Sequence, residues 1–243
     1  GMNRLGFRYD NLTQTVPEVL DGAGLEIDAV YTHFATAEDR AHPLFDVQRA
    51  RFDEAVSCLE ALGLRPRLRH AANSAALLRE RASWYGAVRP GLLLYGVAPE
   101  GYAGTLPLTP VMSLRSRVVA VKGMRAGETA GYGARSPVRR PTRVAVVPAG
   151  YADGLDVRIA GRGSVIVRGH RVPVIGSVSM DSITIDVTGL DVTPGDEVVL
   201  LGPQAGASID VTEVANAVGT VPHEILCRTG SRIVRTYDAE PRR

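Results

Sequence analysis

Lysine is almost missing from this chain: Lys122 stands alone against twenty-seven arginines in 243 residues. Any chemistry that runs through a side-chain primary amine is confined to that one position. It lies in Val118-Val119-Ala120-Val121-Lys122-Gly123-Met124, whose alternation predicts a strand. Cysteine is nearly as scarce. Cys58 and Cys227 are too few and too far apart for a disulfide framework or a zinc site, which points to a reduced, cytoplasmic setting. No apolar run approaches the roughly 18–20 residues that a membrane span requires. No signal peptide is visible, although Gly1 rather than a methionine opens the chain. Strong charge of either sign is also lacking. A formal net charge of +2, with arginines interspersed among acids, argues against a nucleic-acid partner. The one local cluster, Arg135, Arg139, Arg140 and Arg143, reads as a solvated loop.

What remains is an ordinary globular composition, 45% hydrophobic and 22% charged, long enough for one large or two ordinary domains. The first hundred or so residues alternate between strand and helix patterns. Gly24 to Phe34 reads as a buried strand with a polar end. Pro43 to Leu62 reads as a helix with Phe45, Phe52, Val56, Leu59 and Leu62 near one face, stopped by Gly63. Arg67 to His70 is a short strand. Asn73-Ser74 then opens a helix, and Ala87 to Tyr95 reads as the next strand. This rhythm predicts parallel strands with helical crossovers. A closed eight-stranded barrel needs roughly 200–250 residues, so residues 1–107 predict part of a TIM-type (β/α)8 barrel. Gly and Pro cluster from Pro99 to Pro110, and strand signals dominate afterwards. They cover Val111–Val121, Arg143–Pro148, Ser164–Val167, Val172–Ile175, Ile183–Val187 and Glu197–Leu201, with a turn at Gly169-His170 and a helix from Asp210 to Val218. Residues 108–243 therefore predict a mainly antiparallel β domain.

Several residues could carry chemistry. A helix opening at Asn73-Ser74 offers free backbone N–H groups suited to a phosphate, though a serine there serves equally as a cap. Gly91, after Arg89-Pro90, permits close backbone approach by a ligand, or simply a tight bend. His33 and His70 stand at the ends of predicted parallel strands, and Arg89 joins them on a third. In barrels such ends gather functional side chains. His42 and His223 flank prolines in loops and receive no role. Two tyrosines sit between glycines, in Gly131-Tyr132-Gly133 and Gly150-Tyr151-Ala152-Asp153-Gly154. Flanking glycine lets a loop lift a ring into a cleft, and it also suits a plain turn. A phenol works as a general base only if nearby cationic charge draws its pKa below about 10. Gly176 to Asp181 is a further tight segment whose N–H groups could meet a carboxylate.

Taken together these motifs resemble the alanine racemase family, which depends on pyridoxal phosphate. The resemblance runs from Gly1 to Tyr237. It rests on Gly1-Met2-Asn3-Arg4-Leu5-Gly6, Tyr31-Thr32-His33-Phe34-Ala35, Ala72-Asn73-Ser74-Ala75, Val88-Arg89-Pro90-Gly91 with Tyr95-Gly96, the two glycine-bracketed tyrosines, and Ser179-Met180-Asp181. It implies interconversion of L- and D-alanine by two-base α-proton exchange, supplying D-alanine for peptidoglycan. It also implies a cytoplasmic head-to-tail homodimer with shared sites. On this resemblance Tyr132 is the base on one face, acting in the partner subunit's site. Arg4 lies near the cofactor's phenolic oxygen and the substrate carboxylate. Ser74 and Gly91, with Asn73 beside them, hold the phosphate, and Arg89 donates to the pyridine nitrogen. His70 orients Arg89, and His33 links Arg89 to Tyr132. Tyr151 narrows the access tunnel, and Met180 offers its N–H to the substrate carboxylate, also across the dimer.

The departures are as informative. A family member anchors its cofactor as a Schiff base on a first-strand lysine that acts on the opposite face. No lysine precedes the Gly1–Gly6 motif here, and a second, often carbamylated, lysine is absent too. Ser231 stands where many members have a phosphate-binding tyrosine. Arg158 is shifted by one residue, Ser177 replaces an arginine of the tunnel, and Ser179 often corresponds to a cysteine. The resemblance thus implies a piece lacking the family's amino-terminal third and inactive alone. Two alternatives stay open: a serine or broad-specificity racemase, and a non-catalytic fragment or dimerisation module. A lone cofactor-carrier barrel fits poorly, because it has no second domain.

Overall fold

A computed structural model describes residues 1–21, 24–134 and 137–237; Arg135 of the basic cluster lies outside them. The chain divides into two units, Gly1–Thr109 and Pro110–Arg243.

In the first unit, helix α1 (Leu12–Leu20) buries Leu12 and Val16. Strand β1 (Ala29–Tyr31) pairs in parallel with β2 (Leu68–His70), in a register that sets Tyr31 opposite His70. Helix α2 (Leu44–Ala61) makes the crossover. Its buried residues, Phe45, Gln48, Phe52, Val56 and Leu59, follow the three- and four-residue spacing of a single face. Phe45, Phe52 and Val56 pack with Phe34, Ala71, Ala72, Ala75, Ala76 and Tyr102, and Leu59 packs with Leu12 and Val16 of α1. Leu62 is exposed rather than part of that face. Gly63 (φ +83°) ends the helix in a Schellman motif, with Gly63 N–H donating to Glu60 O and Leu64 N–H to Leu59 O. Helices α3 (Ser74–Arg79) and α4 (Gly91–Leu94) complete the unit.

Two expectations for this unit change. The run from Gly24 to Phe34 yields only the three-residue β1, which is half-exposed, because among the described strands it is paired on one side alone. The expected strand from Ala87 to Tyr95 is a single bridge followed by a short helix. Ala87 makes a single parallel bridge to His70 and Arg89 N–H donates to Ala72 O. Pro90 then has no N–H to continue the ladder, and Leu92 to Leu94 coil into α4, with Leu92 buried.

The second unit is an eight-stranded antiparallel sheet of β3 (Leu114–Arg117), β4 (Ala120–Met124), β5 (Thr142–Val147), β6 (Ser164–Val167), β7 (His170–Ile175), β8 (Ile183–Asp186), β9 (Glu197–Gln204) and β10 (Ala207–Ile209). The order runs β10-β9-β6-β7-β8-β5-β4, with β3 also on β9. The run expected as one strand from Val111 to Val121 is broken at Val118-Val119. Val118 N–H donates to Asp196 O beside β9, and Val119 N–H donates to Val146 O of β5. One stretch of chain therefore serves both ends of the ladder, and the sheet curls round a core that includes Val118, Val147, Val165, Val167, Ile185 and Val198. The β6–β7 turn is Arg168-Gly169, both at positive φ, so His170 belongs to the strand. Asp210 caps α5 (Val211–Val218), and α6 (Pro222–Cys227) follows. Arg143 is not loop surface. It lies in β5, and its guanidinium donates to Leu190 O and Val192 O. Among the described residues no helix is long and apolar enough to cross a membrane.

Candidate active site

The parallel register carries the side chains of the first unit to one place. His33 follows β1, His70 ends β2, and Arg89 extends the bridge beside it. Arg89 is the hub. One terminal nitrogen meets His70 Nδ1. The other donates to Thr32 O at 2.8 Å and Ala71 O at 3.2 Å, and lies 3.4 Å from His33 Nδ1. No carboxylate touches this guanidinium among the described residues. Burial and the Arg89 charge lower the pKa of both His33 and His70, and Arg4 adds to the effect at His33. Both imidazoles are therefore neutral at neutral pH, and a neutral Nδ1 lone pair is what a guanidinium needs as acceptor. Burial also draws the Arg89 pKa down. The His70 ring is fixed from its other side by Tyr31, stacked at 5.1 Å and 4°.

The phosphate candidates lie just along the chain. Asn73, not Ser74, is the cap of α3: its side chain accepts from Ala76 N–H at 2.9 Å. That leaves the Ser74 hydroxyl buried yet available, 3.4 Å from Leu93 N–H at the start of α4. Gly91 opens α4, and a Cβ built on it meets nothing within 4 Å. Two helix starts thus converge beside Arg89, joined through the Arg89 N–H bond to Ala72 O. Helix starts present unpaired N–H groups and suit an anion.

The other candidates belong to the second unit. Tyr132 is 78% exposed, with Gly131 and Gly133 at φ +75° and +81°. Tyr151 and Met180 are exposed on one zippered pair of segments. Tyr151 N–H donates to Ser179 O and Ala152 N–H to Met180 O. Sequence reasoning missed two residues here. Asp153, buried, accepts from Gly150 N–H at 2.9 Å and shapes the Tyr151 turn; its place inside the Tyr-Ala-Asp-Gly motif was the available signal. Ser177, taken only as a lost arginine, donates to the Tyr132 carbonyl. Lys122 is exposed on β4. Arg4 is exposed in the first unit.

The chain is similar to known proteins over both units. Residues 1–99 match the family profile described as alanine racemase, N-terminal domain, and residues 111–237 match alanine racemase, C-terminal domain. The alanine racemase of Symbiobacterium thermophilum is 38% identical over 242 residues, which is 99% of this chain and 64% of that protein. The crystal structure of alanine racemase from Bacillus anthracis with bound L-Ala-P superposes with a TM-score of 0.89 at 36% identity, covering 96% of this chain and 61% of that one. The Bartonella henselae alanine racemase, with covalently bound pyridoxal phosphate, gives 0.85 at 32% identity, over 98% and 64%. This chain spans less than two thirds of the length of these relatives. Its fold is part of an α/β barrel followed by an antiparallel β domain. With both profiles matched in tandem, the chain belongs to the alanine racemase family.

Proposed function

We propose that this chain carries the cofactor-cradling and proton-moving residues of a pyridoxal-phosphate-dependent racemase acting on alanine, with residues 1–107 contributing barrel and 108–243 the β domain. When bound, pyridoxal phosphate supplies an electron sink that acidifies the α-C–H of an attached amino acid. The residues present fit such a group. Ser74, with Asn73 beside it, and Gly91 would hold the phosphate, for the hydroxyl is buried and available and the glycine is open. Arg89 would donate to the ring nitrogen. The observation that carries this reading is the Arg89 environment: two neutral imidazoles and two carbonyls, with no carboxylate among the described residues. A guanidinium so placed keeps its proton, so it donates to a heteroaromatic nitrogen without protonating it. His70 and Tyr31 hold the geometry, and His33 lies on the other terminal nitrogen.

We assign Arg4 and, from a second copy of the chain, the Met180 N–H to the substrate carboxylate, and Tyr151 to narrowing of the access tunnel. Tyr132 is the base on one face, in our reading serving a second copy of the chain in a head-to-tail homodimer. Its exposure and its glycine hinges suit a side chain that reaches outward. A cytoplasmic role in D-alanine supply for peptidoglycan goes with this reading, and the two free cysteines accord with a reducing compartment. The first unit, which carries Arg89, contains no lysine to supply an amine for the opposite face. The chain's one lysine is Lys122, on β4 of the second unit. We infer that the 243-residue chain alone does not turn over alanine.

The test is titration of the Lys122→Ala chain with pyridoxal phosphate, followed by absorbance, so that no ε-amine adduct contributes. We expect saturable binding, weakened about tenfold to a hundredfold by Arg89→Leu, the scale of one charge-assisted hydrogen bond. Gly91→Ala should keep the fold and weaken binding comparably. Affinity unchanged by both variants would sink the cradle. Robust D-alanine formation by the unaltered chain would sink the assignment of the missing amine.

A further inference from the structure

The glycine-bracketed loop that carries Tyr132 is fastened from behind. Gly131 lies so close to the segment after β7 that a Cβ there would fall 2.8 Å from Ser177 N and 2.9 Å from Ser177 O. Gly176 returns the contact, since its Cβ would fall 2.3 Å from Ala130 O. Two glycines therefore let two backbones touch. The Ser177 hydroxyl ties them, donating to the Tyr132 carbonyl at 2.6 Å. It is the one side-chain hydrogen bond to Ala130–Ala134 among the described residues.

The exposure of Tyr132 gives this bond its weight. With 78% of the residue in solvent, ring packing does little to fix the phenol. Its position then follows from its backbone, and among the described side chains it is the Ser177 hydroxyl that holds that backbone, at the Tyr132 carbonyl. Glycines on both sides would otherwise give the loop more freedom than any other flanking residue. The segment that supplies the tether also holds the other tyrosine turn, through Tyr151 N–H to Ser179 O at 3.1 Å and Ala152 N–H to Met180 O at 2.9 Å. Gly176 to Asp181 is thus a common mount for two tyrosines nineteen residues apart in sequence.

We propose that Ser177 is a positioning residue for Tyr132: by holding the Tyr132 carbonyl it sets where the phenol oxygen is presented. The functional weight of the tether rests on the reading of Tyr132 as the proton-moving group. The tether itself is measurable without turnover.

The experiment uses the whole chain labelled with 3-fluorotyrosine. The Tyr132 and Tyr151 resonances are assigned by their disappearance in Tyr132→Phe and Tyr151→Phe. In Ser177→Ala we expect the Tyr132 line to move by more than its width while the Tyr151 line stays in place. Ser177→Thr keeps a hydroxyl and should return the Tyr132 line toward its original position. A Tyr132 line unmoved in Ser177→Ala overturns the proposal. Equal displacement of the Tyr151 line overturns it too, because it would mark general loosening. So does a Thr variant that behaves like the Ala variant. Failure of the base assignment is read elsewhere: Tyr132→Phe would retain α-proton exchange of alanine in whatever assembly shows it, and the fluorine result would still stand.

Discussion

At Asp156 one buried carboxylate answers two arginines. Its side chain is 3% exposed, Arg158 grips both of its oxygens, and Arg228 reaches Oδ2 at 2.6 Å. Hydrogen bonding from Arg158 is the main cause that holds the carboxyl pKa down at about 2, with Arg228 adding to it. The sign follows from linkage. A folded-state pKa below the unfolded value of about 3.9 gives stability that is complete above about pH 4 and is lost as pH falls toward 2. The amount is about 2 kcal/mol. Unfolding free energies measured across that window should fall for the natural chain, and Asp156→Asn should remove this component. Parallel losses in both would show that the cluster contributes nothing. The contrast with Arg89 separates two uses of arginine. Around Asp156 the guanidinium is neutralised and structural, tying α6 to the loop before β6. Around Arg89 the acceptors among the described residues are imidazole nitrogens and backbone carbonyls, which is why we assign its charge to a ligand.

Glycines make the same division among elements. Gly150 has an ordinary extended backbone (φ −141°, ψ −167°), so alanine there meets no dihedral penalty. Its Cβ would nevertheless lie 2.3 Å from Met180 O and 2.4 Å from Asp181 N. Gly150→Ala must therefore part the Tyr151 turn from its mount, at a cost of about 1–3 kcal/mol. Gly91→Ala, with open space around it at a helix start, should stay within about 1 kcal/mol of the natural chain. Urea unfolding of both variants checks this, and equal losses would contradict it. The same elements mark how far the sequence could be read. Asp210 as the cap of α5 and the buried face of α2 were legible, because local chemistry decides them. Leu92 to Leu94 were not, because a short apolar run fits strand and helix alike until Pro90 breaks the ladder. Nor was the break at Val118-Val119, where alternation continues and only the hydrogen-bond partner changes. At the site, His33, His70 and Arg89 were visible as strand-end residues. Ser177 was not, since it acts on backbone brought near by the fold, whereas Asp153 acts on Gly150 N–H three residues away and its signal lay in the motif itself.

For the molecule as a whole, the two units differ in how completely each closes its own core. The second wraps eight strands around side chains that are almost wholly buried, among them Val147, Val167, Ile185 and Val198. The first has two parallel strands and one bridge among its described residues. Two-stranded sheets are marginal without further cover, and an edge strand carries unpaired backbone groups. The first unit should therefore unfold before the second. The chain contains the reporter needed to see it, because its one tryptophan, Trp84, belongs to the first unit and donates its ring N–H to Leu77 O. Trp84 fluorescence should lose its native signal at lower urea than the far-ultraviolet β signal, which the second unit dominates. The tryptophan transition should also be the shallower in urea, since the slope scales with the surface exposed on unfolding. Coincident midpoints by the two probes would mean that the chain folds as one cooperative body, and the ranking of the two cores would then be wrong.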